Sequence, residues 1–390
     1  MPIKKRIKTI KEINGKIRSG KAVVVTADKM TEIVKRIGTR KAFHEIDVVT
    51  TGTFAPMCSS GAFISFGHTE PPIKASNVWL NSVPAYGGIA AVDLYLGATE
   101  PAEKDPLNSR HPGRFRYGGG HVIHDLVARK KLKLEATAYG TDCYPGRHLE
   151  KEVSIDDLPY AVLLNPRNGY QNYPCAVNLS NRKKYTYMGI LKPHGGNATY
   201  STSGQLSPLL NDPYYLTIGM GTRIFLGGTR GYVIGPGTQH NPSVKRGDNG
   251  VPLGKAGTLM VRGDLKEMDS RWLKGVSIIG YGCSLRVGLG IPIPLINEEM
   301  AGYTGISDED IFTQLIDYGL DFPNGDAKSL ARVNYAELKG GKIRFRGMDV
   351  PTVSLTSQKG SLEIANILKS WIEKGDFLIT EPQETLPDKQ

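Results

Sequence analysis

Cysteine is scarce in this chain, with four residues among 390. So few thiols cannot form a disulfide framework, and no two of them have the CxxC spacing of a zinc ribbon or a ferredoxin-type cluster. No apolar run approaches the roughly 20 residues of a membrane helix. A P-loop is missing, as is a GxGxxG motif between a strand and a helix. These absences predict a cytoplasmic protein with reduced thiols, no membrane contact and no nucleotide cofactor.

The net charge of +11 is unevenly distributed. Residues 1–41 contain 13 Lys and Arg against three Asp and Glu, whereas the rest of the chain is nearly balanced. A nucleic-acid surface would spread basic residues along a groove. The pattern therefore favours a solvated helix face, or a docking site for an acidic protein built on Lys8, Lys11 and Lys16, and it argues against nucleic acid.

Hydrophobic periodicity predicts a mixed α/β fold. Apolar residues three and four apart predict helices over 7–17 and 26–38, and β-branched runs predict strands over 21–27 and 46–50. Together they form a basic helix-strand-helix segment over 1–50, which we expect to pack on the core.

The remaining chain divides by composition into three predicted parts. Glycine is abundant, at 46 residues, and short strand candidates dominate a catalytic core predicted over 51–305. A C-terminal α/β part is predicted over 306–380, with one helix starting at Ser307 and another from Ser361 to Lys374. The polar residues 381–390 are predicted to be a frayed tail.

Two of the four cysteines lie in turn-rich sequences. Cys58 is followed by Ser-Ser-Gly, and the small residues and backbone amides of such a turn suit a thiolate or a bound anion. Cys143 precedes Arg147 and His148, and a nearby cation increases the reactive fraction of a thiol. His68, ten residues after Cys58, is a candidate for proton transfer. The apolar settings of the other two are those of buried core thiols.

Several stretches combine arginine with amide and aromatic residues. The sequence over 165–173, NPRNGYQNY, contains Arg167, and Arg223 and Arg230 lie in a glycine-rich region that continues to 235–240. Arginine and amide side chains suit a small polar substrate with a carboxylate. The three arginines are therefore candidates for binding that carboxylate.

Three motifs give the chain a recognisable resemblance. The sequences TFAPMCSSGAFISFGHTEPP over 53–72, YGTDCYP over 139–145 and GLGIPIPLINE over 288–298 resemble the homocysteine biosynthesis family of methanogens and other anaerobes, once a domain of unknown function. The likeness extends from about Lys8 to Thr380. Long members carry a pair of CBS domains after this region, so the resemblance implies a short form.

The resemblance implies an L-aspartate semialdehyde sulfurtransferase that forms homocysteine. Cys143 would carry the sulfur or bind the metal that carries it, and Cys58 would resolve the persulfide or act as a second ligand. By residue type alone, Arg147, His68 and His148 are candidates for adjusting reactivity or transferring a proton. The sulfur would come from a cysteine persulfide or from sulfide on a [4Fe-4S] cluster whose further ligands stay open. Conversion of the aldehyde to a thiol also needs two external electrons, for which the implied donor is a ferredoxin-like protein. A homo-oligomer is expected.

Three other functions stay open at this point. A non-catalytic sulfur or iron–sulfur carrier would bind a chromophore without turnover. A cysteine-dependent aldehyde oxidoreductase would need a nicotinamide site. A nucleic-acid-binding protein would bind with a steep salt dependence.

Overall fold

The computed structural model describes residues 7–110, 113–319 and 329–386. Its α-helices are α1 (Ile10–Arg18), α2 (Ala27–Ile37), α3 (Thr39–Glu45), α4 (Pro106–Arg110), α5 (Gly119–Val127), α6 (Pro208–Asn211), α7 (Glu298–Thr304), α8 (Tyr335–Lys339) and α9 (Gln358–Glu373). The strands of the first half are β1 (Val24–Thr26), β2 (Val48–Thr50), β3 (Thr53–Pro56), β4 (Gly61–Ser65), β5 (Asn77–Leu80), β6 (Val83–Tyr86), β7 (Asp93–Gly97), β8 (Leu132–Thr137), β9 (His148–Val153), β10 (Tyr160–Asn168), β11 (Cys175–Val177), β12 (Lys184–Thr186) and β13 (Gly189–Leu191). Those of the second half are β14 (Ala198–Tyr200), β15 (Gly219–Met220), β16 (Arg223–Leu226), β17 (Thr229–Pro236), β18 (Leu259–Asp264), β19 (Leu273–Ile278), β20 (Gly282–Gly290), β21 (Pro292–Pro294), β22 (Phe312–Asp317), β23 (Ser329–Asn334), β24 (Lys342–Phe345), β25 (Met348–Ser354) and β26 (Glu384–Thr385). The predicted mixed α/β class with a mostly β body is confirmed.

The N-terminal segment has the predicted alternation of helices and strands. Helix α1 begins at a capping box, because Thr9 accepts from the Glu12 amide while the Glu12 carboxylate accepts from the Thr9 amide. Its apolar stripe buries Ile13 and Ile17. Helix α3 was not predicted. Strand β2 pairs parallel with β1 and antiparallel with β21, so this segment joins the core through a three-stranded sheet.

A buried carboxylate neutralises part of the basic N-terminus. Asp47 accepts from Lys8 Nζ at 3.2 Å, from Lys16 Nζ at 2.6 Å and from the Val23 amide at 3.1 Å. Lys8 and Asp47 are both almost fully buried. Two of the three lysines predicted to form a docking face therefore hold the segment on the core, and among them only Lys11 has no ion pair with a described residue.

The body is a 13-stranded sheet that curves around α5. The strand order is β19-β20-β16-β17-β18-β10-β4-β7-β6-β5-β8-β9, with β3 pairing to β20. Helix α5 packs against β19 and β20 on one side and against β4, β7 and β8 on the other. A Cβ atom at Gly119 would lie 1.8 Å from the Gly97 carbonyl oxygen, and one at Gly120 would lie 2.1 Å from that of Ser284. The glycine run before His121 therefore permits this close helix packing.

A second sheet of six strands has the order β23-β22-β11-β14-β25-β24. It takes β11 and β14 from the middle of the chain and the other four strands from the region after Ile311. The sheet therefore crosses the boundary predicted between residues 305 and 306. The hairpin of β12 and β13 covers one face, where Met188 and Leu191 pack on Ile316 and Tyr318.

One helix prediction was wrong. The residues from Ser307 to Gly319 form a turn and strand β22, because Ser307 Oγ donates to Asp310 and the following residues pair with β11 and β23. The Asp310 carboxylate therefore closes a turn where a helix was predicted to begin. Pairing on both edges makes β22 an inner strand. Its apolar residues Phe312, Leu315 and Ile316 recur at the three- and four-residue spacing that is also typical of a helix.

The C-terminal helix is confirmed, and the frayed tail is not. Helix α9 begins one turn before the predicted Ser361, because Ser357 caps it, and it ends at Gly375 with a positive φ. Strand β26, inside the predicted tail, pairs with β15. Residues 387–390 of that tail lie outside the described residues. In the described part of the chain, no helix is long and apolar enough to cross a membrane.

Candidate functional site

A cavity of about 260 Å³ lies where the ends of the two sheets meet. The larger sheet contributes residues from loops that leave β3, β10, β17 and β20 at one end: Ala55, Pro56, Met57, Cys58, Arg167, Tyr170, Gln239, Lys255 and Tyr281. The smaller sheet and its covering hairpin contribute the opposite wall: Tyr173, Tyr187, Met188, Ser201 and Leu355. The cavity thus combines one thiol, two cations and four phenols.

The turn that carries Cys58 is held on both sides. The Met57 amide donates to the Leu285 carbonyl in β20 at 2.7 Å, and the Ser60 amide closes the turn onto the Met57 carbonyl at 3.0 Å. Buried Asn165 donates to Ser60 Oγ at 2.8 Å. Gly61 is required next, because a Cβ atom there would lie 2.1 Å from the Tyr95 hydroxyl. The turn therefore presents a half-buried Cys58 to the cavity.

The Ser284 hydroxyl contacts the Cys58 sulfur, and the Tyr281 phenol lines the same cavity. Ser284 Oγ in β20 donates to Cys58 Sγ at 3.3 Å. Burial, followed by the charge of the Cys58 thiolate, raises the pKa of Tyr281 well above its usual range. The phenol therefore stays protonated and can donate a hydrogen bond to a negatively charged sulfur.

Arg167 and Lys255 provide the positive charge of the cavity. Strand β10 has a bulge between Asn165 and Asn168, which turns Arg167 out of the ladder toward the cavity. Arg167 Nε is buried and has no hydrogen-bond partner in the described structure. Lys255 Nζ lies 5.1 Å from the centre of the Tyr173 ring. No carboxylate is among the residues that line the cavity, so its field favours an anionic group.

Three phenol groups form a hydrogen-bonded cluster at the opposite wall. The Tyr173 and Tyr187 hydroxyl oxygens are 2.7 Å apart, and those of Tyr187 and Tyr318 are 2.9 Å apart. Tyr173 and Tyr187 line the cavity, whereas Tyr318 is buried behind them. Burial raises the pKa of Tyr173 and of Tyr318 far above the usual value for tyrosine. Tyr173 and Tyr318 therefore stay neutral at physiological pH.

Cys143 lies far from this cavity. It is exposed in a turn between β8 and β9, which the Thr141 and Tyr144 backbones close with reciprocal hydrogen bonds of 2.9 and 3.1 Å. Strand pairing places the end of β8 level with the middle of β4, so this loop extends past the Ser65 end of the sheet. Cys58 precedes the other end of β4. The two strands are also four places apart in the sheet, about 19 Å at roughly 4.8 Å per strand.

The basic and imidazole side chains predicted beside Cys143 are on the same distant side. Arg147 and His148 are exposed, and His148 Nε2 is 4.0 Å from Glu150. Arg147 packs on Gly140, where a Cβ atom would lie 2.8 Å from its Nε. His68 is exposed in the segment that continues past β4 at that end. None of these residues lines the cavity.

Arg223 and Arg230 also lie away from the cavity. Arg223 Nη1 donates to the Leu378 carbonyl at 3.4 Å, and Arg230 Nη2 donates to the Asp376 carbonyl at 2.6 Å. Both side chains hold the chain after α9 against the hairpin of β16 and β17. Of the three predicted carboxylate-binding arginines, the structure therefore places only Arg167 at the cavity.

The described residues do not fit a [4Fe-4S] cluster held by Cys58 and Cys143 of one chain. Such clusters are normally bound by four cysteine thiolates. Cys58 is the one cysteine that lines the cavity, and no group of three or more His, Cys, Asp and Glu side chains in the described ranges is arranged to hold a metal. Cys175 and Cys283 are buried elsewhere, and burial raises their thiol pKa values to about 12 and about 11.

Sequence reasoning missed about half of the cavity. Tyr170 and Tyr173 lie in the arginine-containing stretch over 165–173, and Gln239 lies in the stretch over 235–240, but Lys255 and Tyr187 have no distinctive local signal. In the sequence Gly-Tyr-Gly-Cys over 280–283, Cys283 was considered as a thiol and Tyr281 was not considered. Tyr281 is the residue of this stretch that lines the cavity.

Comparisons with known proteins identify the family of the chain. Residues 22–379 match the family described as homocysteine biosynthesis enzyme, sulfur-incorporation. The chain is 50% identical over 379 residues to the L-aspartate semialdehyde sulfurtransferase of Methanosarcina acetivorans, covering 97% of this chain and 72% of that protein. It is 49% identical over 393 residues to the enzyme of the same name from Methanocaldococcus jannaschii, covering 97% and 73%. No solved structure matches the chain.

Proposed function

The chain belongs to the homocysteine biosynthesis enzyme family and is an L-aspartate semialdehyde sulfurtransferase, and we propose that Cys58 carries the sulfur in its reaction. The observation behind this proposal is that Cys58 is the thiol at the cavity, which it shares with two cations and where its sulfur accepts a hydrogen bond from Ser284. A persulfide on Cys58 would extend its outer sulfur about 2 Å further into the cavity.

The proposed chemistry balances with an external electron donor. Addition of sulfide to an aldehyde with loss of water gives a thioaldehyde, and two electrons and two protons convert this to the thiol. When the sulfur starts as a persulfide on Cys58, two further electrons and protons break the sulfur–sulfur bond and regenerate the thiol. A ferredoxin-like iron–sulfur protein can deliver such electrons one at a time. The exposed lysines and arginines of the N-terminal segment, such as Lys11, Lys21 and Arg36, suit an acidic donor of this kind.

Cys143 keeps a different role in this proposal. Its exposure suits contact with a sulfur donor, and its distance from the cavity means that it does not form the carbon–sulfur bond in its own chain. A sulfur atom accepted at Cys143 would have to pass to Cys58 through a second protein or a mobile carrier. That Cys143 takes part in sulfur delivery stays a prediction.

Mapping the persulfide tests the assignment of the sulfur carrier. After anaerobic incubation with a persulfide donor, alkylation and proteolysis, we expect the peptide that contains Cys58 to carry one additional sulfur atom. Added L-aspartate semialdehyde and reductant should remove this sulfur as homocysteine forms. A Cys58 peptide that never gains sulfur while the chain makes homocysteine would refute the proposal, whichever other cysteine is modified.

Arg167 is proposed to bind the substrate carboxylate. An Arg167→Met variant should raise KM by about 10- to 100-fold with little change in kcat, because a charge-assisted hydrogen bond of roughly 1.5–3 kcal/mol is lost equally from the ground and transition states. Arg230→Met provides the matched comparison, since Arg230 bonds to the Asp376 carbonyl outside the cavity. Steady-state kinetics that show a larger KM for Arg230→Met than for Arg167→Met would contradict the assignment.

A further inference from the structure

The residues that line the cavity offer no carboxyl or imidazole group to the aldehyde oxygen. When a sulfur anion attacks the aldehyde, the carbon–sulfur bond forms, the carbonyl π bond breaks and its electron pair moves to the oxygen. That oxygen must be stabilised before it is protonated and leaves as water. No Asp, Glu or His is among the residues that line the cavity, so the stabilising donors must be of another type.

We propose that the cluster of Tyr173, Tyr187 and Tyr318 is the oxyanion-binding site of this reaction, with Tyr173 as the residue that donates to the oxygen. The inference rests on the proposed role of Cys58 as the sulfur carrier. It assigns a catalytic role to Tyr173 and positioning roles to Tyr187 and Tyr318.

The position of Tyr173 in the cluster supports it as the donor. Tyr173 and Tyr187 line the cavity, whereas Tyr318 is buried behind them. Hydrogen bonds of 2.7 and 2.9 Å to Tyr187 link the three hydroxyl groups, so that each is held in place by its neighbours. Of the two phenols at the cavity, Tyr173 is the one beside Lys255.

Neutral phenols are suited to this task. Burial keeps the pKa of Tyr173 and Tyr318 above the usual range, so neither gives up its proton before the oxyanion forms. A donor that is fixed in place in a partly dehydrated site stabilises developing charge without having to reorganise. Lys255 Nζ, which lies 5.1 Å from the Tyr173 ring centre, adds positive charge on the same side.

The position of the cluster relative to Cys58 also fits. The Tyr170 ring lies 5.2 Å from the Tyr173 ring, and Tyr170 is close enough to Cys58 for the thiolate charge to raise its pKa, after burial, to about 12. The Tyr281 ring is 6.5 Å from the Tyr187 ring, and Tyr281 is close enough to Cys58 for the thiolate charge, after burial, to raise its pKa. Tyr170 and Tyr281 therefore connect the Cys58 side of the cavity to the cluster.

The test compares Tyr173→Phe with Tyr160→Phe in the full chain. Phenylalanine keeps the ring and removes only the hydroxyl. Tyr173→Phe should lower kcat by about 100- to 1,000-fold, as loss of one oxyanion donor does, with KM changed much less. Tyr187→Phe should lower kcat by a smaller factor because it only disorders the donor. Tyr160 is exposed on β10 and bonds to Arg262, so Tyr160→Phe should retain full activity.

A separate measurement distinguishes this inference from the proposed function. Formation of the Cys58 persulfide precedes contact with the aldehyde, so Tyr173→Phe should still gain one sulfur at Cys58 in the mapping experiment. A Tyr173→Phe chain with unaltered kcat, or one whose loss appears entirely in KM, would overturn the oxyanion role. An unaltered chain that makes homocysteine without sulfur on Cys58 would overturn the proposed function instead.

Discussion

A Cys58→Ala variant is expected to form homocysteine at least about 1,000-fold more slowly than the unaltered chain, because removing the group that forms the covalent intermediate leaves only binding and electrostatic contributions. Cys58 is the one cysteine among the residues that line the cavity. The variant should keep its fold, since the turn is held by the Met57 and Ser60 backbones. The measurement is anaerobic homocysteine formation from L-aspartate semialdehyde with a sulfur donor and reductant.

Cys143→Ala is the matched control, since it makes the same chemical change at an exposed turn. In a single turnover that starts from chain already carrying sulfur, Cys143→Ala should match the unaltered protein, even if steady-state turnover falls because delivery is slower. Cys58→Ala should fail in both assays. The opposite result would be normal steady-state turnover by Cys58→Ala together with no single-turnover activity in Cys143→Ala that already carries sulfur. That result would show that Cys143 forms the carbon–sulfur bond.

An Asp47→Asn variant is expected to lose about 3–5 kcal/mol of unfolding free energy, the usual cost of breaking a buried ion pair by removing one partner. The amide removes the carboxylate that pairs with the buried ammonium of Lys8, although the Ile46 carbonyl still accepts from Lys8 Nζ at 2.5 Å. Urea unfolding at neutral pH measures the loss. Asp349→Asn is the comparison, since the ion pairs of Asp349 with Lys342 and Arg344 are exposed, and its unfolding midpoint should hardly change.

The pH dependence of stability provides a second measurement on Asp47. Burial alone would raise its pKa, but the hydrogen bonds from Lys16 and Val23 and the charge of Lys8 outweigh this and lower it below the ordinary value of 3.8. The contribution of the Asp47 carboxylate to the free energy of unfolding is therefore complete above its unfolded-state pKa. This contribution is lost as the pH falls through the lower folded-state pKa. The difference in unfolding free energy between the unaltered chain and Asp47→Asn should become smaller on acidification. A difference that does not change with pH would contradict the claim that the ion pair of Asp47 stabilises the fold.

Local sequence predicted the elements that local interactions determine. Helix α9 has a complete apolar stripe and a glycine stop, so residues 361–374 alone were enough to predict it. Strand β22 was predicted as a helix because its neighbours β11 and β23 supply the hydrogen bonds, and neither partner can be read from residues 307–319.

The sequence segments that form the site could be predicted, but which of them lie together in the fold could not. The turn of Cys58 and the stretch that contains Arg167 each have a composition suited to chemistry, and the cavity unites them. Cys143 has an equally suggestive sequence, but strand register sends its loop to the other end of the sheet. Register depends on long-range pairing, so spacing along the chain could not separate the two cysteines.

The composite six-stranded sheet has a consequence for how the enzyme becomes active. Its inner strands β11 and β22 come from distant parts of the chain, and pairing of that kind is slow because a long loop must close before the contacts form. One wall of the cavity belongs to this sheet and the other to the larger one. Catalytic competence is therefore a late event in folding, and a chain with most of its strands formed would still lack an active site.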